Sequence, residues 1–205
     1  RGTDYAAGDE LTMRNIAGFA SWMYRRGVEA LSVYLISKEN LRRPPADLDP
    51  VIATETWLAA ELLPPLLREF DGRAACAGDL GLLPPGFAAA LENLCRATAA
   101  ASGPRLSLLT AYNPQEELAR ALRLAAARPA GNAPAAPFDL ADLWVPEPLD
   151  LVIRTSGEQR ISNFLPLQCG YAELIFTPKH FNDLGEDDLN GFLDEYRARQ
   201  RRFGA

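Results

Sequence analysis

The sequence predicts an α/β fold, a mainly parallel central sheet flanked by helices. Short apolar runs rich in Leu, Ile, Val and Ala alternate with longer stretches whose apolar residues recur every three or four positions. Polar and basic residues gather directly after two of the short runs. In open α/β sheets the carboxyl ends of strands are where ligands bind. A chain of 205 residues with 48% hydrophobic and 23% charged residues buries a sizeable core. One domain over residues 1–205 is therefore expected.

Residues 9–26 read as the first helix, with Leu11, Ile16, Phe19, Ala20 and Met23 at helical spacing and Gly27 as its stop. Ala30–Ile36 reads as a strand that delivers Ser37 to Arg43 at its carboxyl end. Residues 47–69 read as helical, kinked or broken by Pro64 and Pro65, which carry no N–H. A short strand over Arg73–Ala77 ends in Gly78 and Asp79, and an Ala-rich helix covers 85–101. Arg105–Tyr112 is a strand. Pro114, suited to the first helical position, opens a helix over 115–127. Residues 128–137, rich in Pro, Ala, Gly and Asn, read as a loop and not as a domain linker. A short helix over 139–144, strands over 149–153 and 173–176, and a last helix over 186–202 complete the pattern.

Composition excludes several classes. A net charge of −6 argues against a general nucleic-acid binder, though it says little about a small anionic substrate. Of the 21 basic residues only Lys38 and Lys179 are lysines; with many Ala and Pro this reads as coding bias and carries no function. Cys76, Cys95 and Cys169 lack metal-like spacing and are expected to be reduced thiols. His180 is the only histidine, in a loop-like Pro-Lys-His-Phe context that suits a hydrolase triad poorly. No apolar run reaches the length of a membrane span, and no leader peptide is read. A cytoplasmic protein with at most peripheral membrane contact is expected.

The most informative stretch is Arg154-Thr-Ser-Gly-Glu-Gln-Arg-Ile-Ser162. Two guanidiniums and a hydroxyl leave one strand end within nine residues, and Gly157 permits a tight backbone. Guanidinium forks match phosphate oxygens, so the stretch suits a diphosphate. Two Arg in a loop also fit plain surface charge. Glu173, just before the last strand, suits either a surface ion pair or a Mg²⁺ that escorts phosphates, since such cations take one or two carboxylates.

Asp150-Leu-Val-Ile-Arg-Thr-Ser-Gly-Glu-Gln-Arg-Ile-Ser-Asn-Phe-Leu165, then Tyr171-Ala-Glu-Leu174, then Arg201-Arg-Phe-Gly204 resemble the cis-prenyltransferases, the undecaprenyl diphosphate synthase family. Ser37-Lys-Glu-Asn-Leu-Arg-Arg-Pro44 is similar to that family's Ser-x-Glu-Asn-Trp-x-Arg-Pro. The resemblance implies condensation of isopentenyl diphosphate with an allylic prenyl diphosphate to give a Z-configured isoprenoid diphosphate. It implies that Arg154, Arg160 and Ser162 bind the isopentenyl diphosphate, that Glu173 ligates Mg²⁺, and that Asn40 and Arg43 lie near the reacting carbon and the diphosphates. It implies that Arg1 contacts the allylic diphosphate. It further implies a homodimer in which Arg201 to Gly204 reach the neighbouring subunit's site. The family begins with a strand and an Asp-Gly-Asn-x-Arg-Trp loop, and Arg1 resembles the stretch just after it. A preceding segment is expected, since a sheet without that strand would expose an unpaired edge.

The chain departs from the family in places. Tyr5 stands where the family usually has His, Leu41 where it has Trp, and Ile36 where it has Phe; Pro166-Leu167 replaces Leu-Trp or Pro-Trp. Ala111-Tyr-Asn-Pro-Gln-Glu116 stands in place of Ala-Tyr-Gly-Gly-Arg, which removes a permissive Gly pair and an Arg. Tyr5 and Pro166-Leu167 are similar to the lavandulyl-type synthases, which couple two prenyl units head to middle. Glu158, which those tend to lose, is kept and favours ordinary elongation. A non-catalytic partner subunit of a prenyltransferase is a third reading, opposed by the retained Arg-x-Ser cluster. Trp57 and Phe70 are candidates to obstruct a prenyl tunnel and shorten the product, or are plain core.

Overall fold

The structure, a computed structural model, describes residues 5–128 and 138–199, without the side chains of residues 5–7. Arg1, Arg201 and Gly204, the loop over 129–137 and the Tyr5 side chain lie outside the described residues. The chain folds as two compact units, residues 1–113 and 114–205. The five described strands all pair in parallel. They form a three-stranded sheet in the first unit and a two-stranded ladder in the second.

In the first unit α1 (Tyr5–Tyr24) precedes β1 (Ala30–Ser37). The chain leaves α1 through Gly27 at φ +80°, a left-handed value that glycine adopts without steric cost. Gly27 N–H and Val28 N–H donate to the carbonyls of Tyr24 and Met23 at 3.0 and 3.2 Å, closing the helix end. The helical stretch after β1 is not broken at its prolines. It runs as α2 (Pro45–Trp57), a wider π turn (Leu58–Leu62) and α3 (Leu63–Glu69). Pro64 and Pro65 donate no hydrogen bond and their rings crowd the carbonyls four residues back. The wider turn ahead of them accommodates that loss. Burial of Leu58, Leu63 and Leu67, each at 0% exposure, keeps the helix seated.

β2 (Arg73–Ala77) and β1 flank β3 (Arg105–Tyr112), giving the order β1-β3-β2. β3 is buried from Leu106 onward, as a central strand of a parallel sheet covered on both faces should be. Gly78, at φ +137°, carries the chain off β2 directly over β3: a Cβ there would sit 1.9 Å from the Thr110 carbonyl oxygen. α4 (Pro85–Ala97) buries Phe87, Leu91 and Leu94 on one face. It ends four residues earlier than its composition suggests, because Thr98 closes it. The Thr98 hydroxyl donates to the Leu94 carbonyl at 2.9 Å and accepts from Ala74 N–H of β2 at 2.9 Å.

In the second unit the described elements after α5 (Pro114–Ala126) are a 3-10 turn over Leu140–Asp142, β4 (Leu151–Arg154), β5 (Glu173–Phe176), a second 3-10 turn over Phe181–Asp183 and α6 (Glu186–Ala198). Leu149 is not part of the ladder; its N–H donates to the Gln168 carbonyl at 2.9 Å. Register pairs Leu151 with Glu173 and Arg154 with Phe176. No helix among the described residues is long and apolar enough to cross a membrane.

Candidate active site

The loop after β4 carries the unusual backbone. Ser156, Ser162, Asn163 and Leu165 have φ of +68°, +45°, +64° and +43°, and Gly157 has +73°. Side-chain-bearing residues adopt such values at a cost, and they concentrate where the surroundings over-determine the chain. The surroundings here are specific. Ser156 N–H donates to the Lys179 carbonyl at 2.8 Å and Gly157 N–H to the Thr177 carbonyl at 2.9 Å, so the loop is tied to the segment leaving β5. His180 Nδ1 lies 3.3 Å from Ser156 Oγ at the exposed surface and belongs to this same closure.

Farther along, Leu165 is fully buried and Gln168 nearly so. The side chain of Gln168 donates to Glu117 Oε1 at 3.1 Å and to the Val145 carbonyl at 2.9 Å. Glu117, at 0% exposure, also accepts from Trp144 N–H at 2.9 Å and Val145 N–H at 3.2 Å. A buried carboxylate with three N–H donors is a compensated charge. It clamps the downstream end of the loop to the segment after the 3-10 turn. Glu117 was not singled out from sequence, yet its spacing was a signal: Pro114, Glu117 and Ala121 fall on one buried helical face.

Within this frame Arg154 sits at the carboxyl end of β4, half-buried, with no ion pair among the described residues. Arg160 is exposed and paired with Glu158. Ser162 is exposed at one of the left-handed positions. Glu173, half-buried, accepts from Arg199 at 2.7 Å. Arg199 also pairs with Glu195 and donates to the Leu174 carbonyl at 3.3 Å. These carboxylates hold the Arg199 guanidinium more firmly protonated than usual, its hydrogen bond to Glu173 foremost. Three register positions separate Glu173 from the partner of Arg154, roughly 10 Å along the strands. A single half-buried carboxylate suits a hard cation that takes its other ligands from phosphates and water. Among the described residues no group of three or more His, Cys, Asp or Glu is gathered.

The loop after β1 is built differently. Asn40 Oδ1 accepts from Ser37 N–H at 3.1 Å and Ser37 Oγ at 2.9 Å, and Asn40 N–H donates back to Ser37 Oγ at 3.2 Å. The carboxamide oxygen is thus a turn brace, as its residue type alone allows. Arg43 N–H donates to the Asn40 carbonyl at 3.0 Å, while the Arg43 side chain is exposed. Asn113 Nδ2 donates to Glu39 Oε1 at 2.9 Å, and Lys38 N–H donates to the Tyr112 carbonyl at 3.0 Å. Backbone hydrogen bonding first, then Asn113, Ser37 and Arg42, hold Glu39 below the usual carboxylate range. Asn113, one of the departures from the family pattern, therefore has a use: it anchors this turn. Ala111, just before it, adopts φ +52° without glycine.

The aromatic tunnel candidates are engaged in packing. Arg14 lies over the Trp57 ring at 4.8 Å, and Phe70 meets Tyr24 edge-on at 5.5 Å. The unusual side chain on α2 is instead Glu55, at 2% exposure with one carboxylate oxygen unpartnered. Burial, with Asp9 adding to it, pushes its pKa up to about 8.

The family model described as putative undecaprenyl diphosphate synthase matches residues 1–204. A short-chain Z-isoprenyl diphosphate synthase of Mycobacterium bovis is 32% identical, over 98% of this chain and 80% of that protein. An isoprenyl transferase of Porphyromonas gingivalis is 35% identical, over 87% of this chain and 72% of that protein. The solved structure of lavandulyl diphosphate synthase from Lavandula x intermedia, in complex with dimethylallyl diphosphate, is similar with a TM-score of 0.89. It is 28% identical, covering 100% of this chain and 91% of that one. The fold, the braced Arg-bearing loop and these likenesses together make the chain a member of the undecaprenyl diphosphate synthase family of prenyltransferases.

Proposed function

We propose that this prenyltransferase condenses isopentenyl diphosphate with an allylic prenyl diphosphate to form a Z-configured isoprenoid diphosphate. The observation that carries the assignment to this chain's own residues is Arg154: a half-buried arginine, without an ion pair among the described residues, heading a loop held in left-handed conformations. A guanidinium so placed gains most from an anionic ligand, and Arg binds diphosphate oxygens through two parallel donors. Arg160 and the Ser162 hydroxyl add donors from the same loop.

Ionisation of the allylic C–O bond leaves charge on the departing diphosphate, and fixed donors lower the barrier by stabilising that charge before it forms. The alkene of isopentenyl diphosphate then attacks the allylic carbon, and a proton leaves to give the Z double bond. Arg154, Arg160 and Ser162 bind and orient the isopentenyl diphosphate. Asn40 and Arg43 serve the allylic substrate and the reacting carbon. Glu173 would hold Mg²⁺, which when bound neutralises diphosphate charge; Arg199 releases the carboxylate for it. Arg1 contacts the allylic diphosphate, and Arg201 to Gly204 complete the neighbouring subunit's site in a homodimer.

Incubation of the full chain with isopentenyl diphosphate, Mg²⁺ and dimethylallyl, geranyl or farnesyl diphosphate tests this. The expected product is longer by one or more five-carbon units with Z geometry, identified by mass and double-bond configuration. No product with any pairing would overturn the reading. The likeness to a lavandulyl synthase structure supports a second reading, head-to-middle coupling of two prenyl diphosphates. A branched product formed without isopentenyl diphosphate would select it.

A further inference from the structure

Cys76 on β2 and Cys95 on α4 are nineteen residues apart, and the fold brings their sulfurs to 3.2 Å. Both are free thiols and both are half-buried, so a small oxidant reaches them. The two elements are already joined next to this contact by the hydrogen bond from Ala74 N–H to Thr98 Oγ1 at 2.9 Å. A disulfide needs the sulfurs to approach by about 1 Å more.

The pair is also polarised. The two sulfurs share one hydrogen bond, which holds Cys95 below the usual thiol range, and Arg105 on the neighbouring strand adds to this. The same hydrogen bond, with burial, pushes Cys76 up. Two adjacent thiols of which one gives up its proton more readily than the other suit an attacking and a resolving cysteine.

We propose that Cys76 and Cys95 are a reversible dithiol–disulfide site that closes on exposure to peroxide and staples β2 to α4. The Cys95 sulfur attacks one peroxide oxygen, the O–O bond breaks, and Cys95 becomes a sulfenic acid with release of one water. Cys76 then attacks the sulfenic sulfur, the S–S bond forms, and its proton leaves with the hydroxyl as a second water. Two thiols are oxidised by two electrons and one peroxide is reduced to two waters. The site is independent of the proposed catalytic reading.

The test treats the reduced full chain with a small excess of hydrogen peroxide, alkylates the remaining thiols and digests without reductant. The expected result is a peptide joining Cys76 to Cys95, two hydrogens lighter than the reduced pair and reversed by dithiothreitol. Cys169, the third thiol, should be recovered alkylated. Oxidation should raise Tm by roughly 5–10 °C, a shift lost in Cys95→Ser. Recovery of Cys76 and Cys95 as separate alkylated or sulfinic peptides from a chain with unchanged circular dichroism would overturn the proposal. So would a cross-link that involves Cys169. The mass readout on the unsubstituted chain decides the matter even if Cys95→Ser fails to fold.

Discussion

A strand-end loop and a buried carboxylate in each unit are arranged in opposite ways. In the second, the buried carboxylate Glu117 meets three N–H donors, while Arg154 at the strand end has no ion pair among the described residues. In the first, the strand-end loop closes on itself through Asn40, Ser37, Glu39 and Asn113, while the buried carboxylate Glu55 keeps an unpartnered oxygen. Structural polar groups stabilise when satisfied; a group left unsatisfied is a cost unless something else meets it. Arg154 is met by a ligand in the proposed reaction. Glu55 is met by a proton.

The largest expected effect follows from Glu55. Its folded pKa of about 8 lies above the ordinary carboxylate value of 4.5, so the folded state holds the extra proton. Its contribution to stability is complete below pH 4.5 and is lost as pH rises towards 8, at a slope of up to about 1.4 kcal/mol per pH unit. Glu55→Gln should flatten that part of a Tm-against-pH curve and raise Tm at pH 8. Parallel curves for both proteins would mean that Glu55 finds a partner in solution, and the contrast with Glu117 would fail. Glu117→Ala leaves three N–H donors without their acceptor and should cost about 3 kcal/mol in urea unfolding. A loss below about 1 kcal/mol would remove Glu117 as the brace of the loop.

Arg154→Ala should raise KM for isopentenyl diphosphate on the order of 10- to 100-fold with Tm unchanged, because the guanidinium has the proposed ligand contacts to lose and no ion pair among the described residues. A drop in Tm with KM unchanged would place Arg154 among the structural groups. Asn40 offers the converse test. Asn40→Ala should cost about 1 kcal/mol of stability as well as activity. Asn40→Asp keeps an oxygen acceptor for Ser37 and should keep Tm, so any activity it loses belongs to chemistry and not to the turn. Arg160→Ala should give the smallest effect, a KM increase of roughly threefold to tenfold, since exposure to solvent weakens its interactions.

Much of the fold was legible in order. β2, β3 and β5 fall on the residues their apolar runs mark, and β3 is buried continuously from Leu106, with Ser107 and Thr110 buried among its apolar residues. Helix ends were less legible. α4 stops at Thr98 because a hydroxyl joins two elements distant in sequence, and no local pattern carries that information. The helix over Pro64 and Pro65 continues because burial of Leu58, Leu63 and Leu67 outweighs the local cost of the prolines.

The sequence by itself determined the α/β class, the Arg-x-Ser loop at a strand end and membership of the family. These depend on periodicity and on contiguous motif residues, both of which are local. Tertiary structure alone decided which polar groups remain available: that Asn40 is a brace, that Arg199 holds Glu173, that Glu117 clamps the loop, and that two thiols nineteen residues apart meet. The physical reason is that a side chain's role depends on its partners, and partners far apart in the chain become neighbours only when the elements pack.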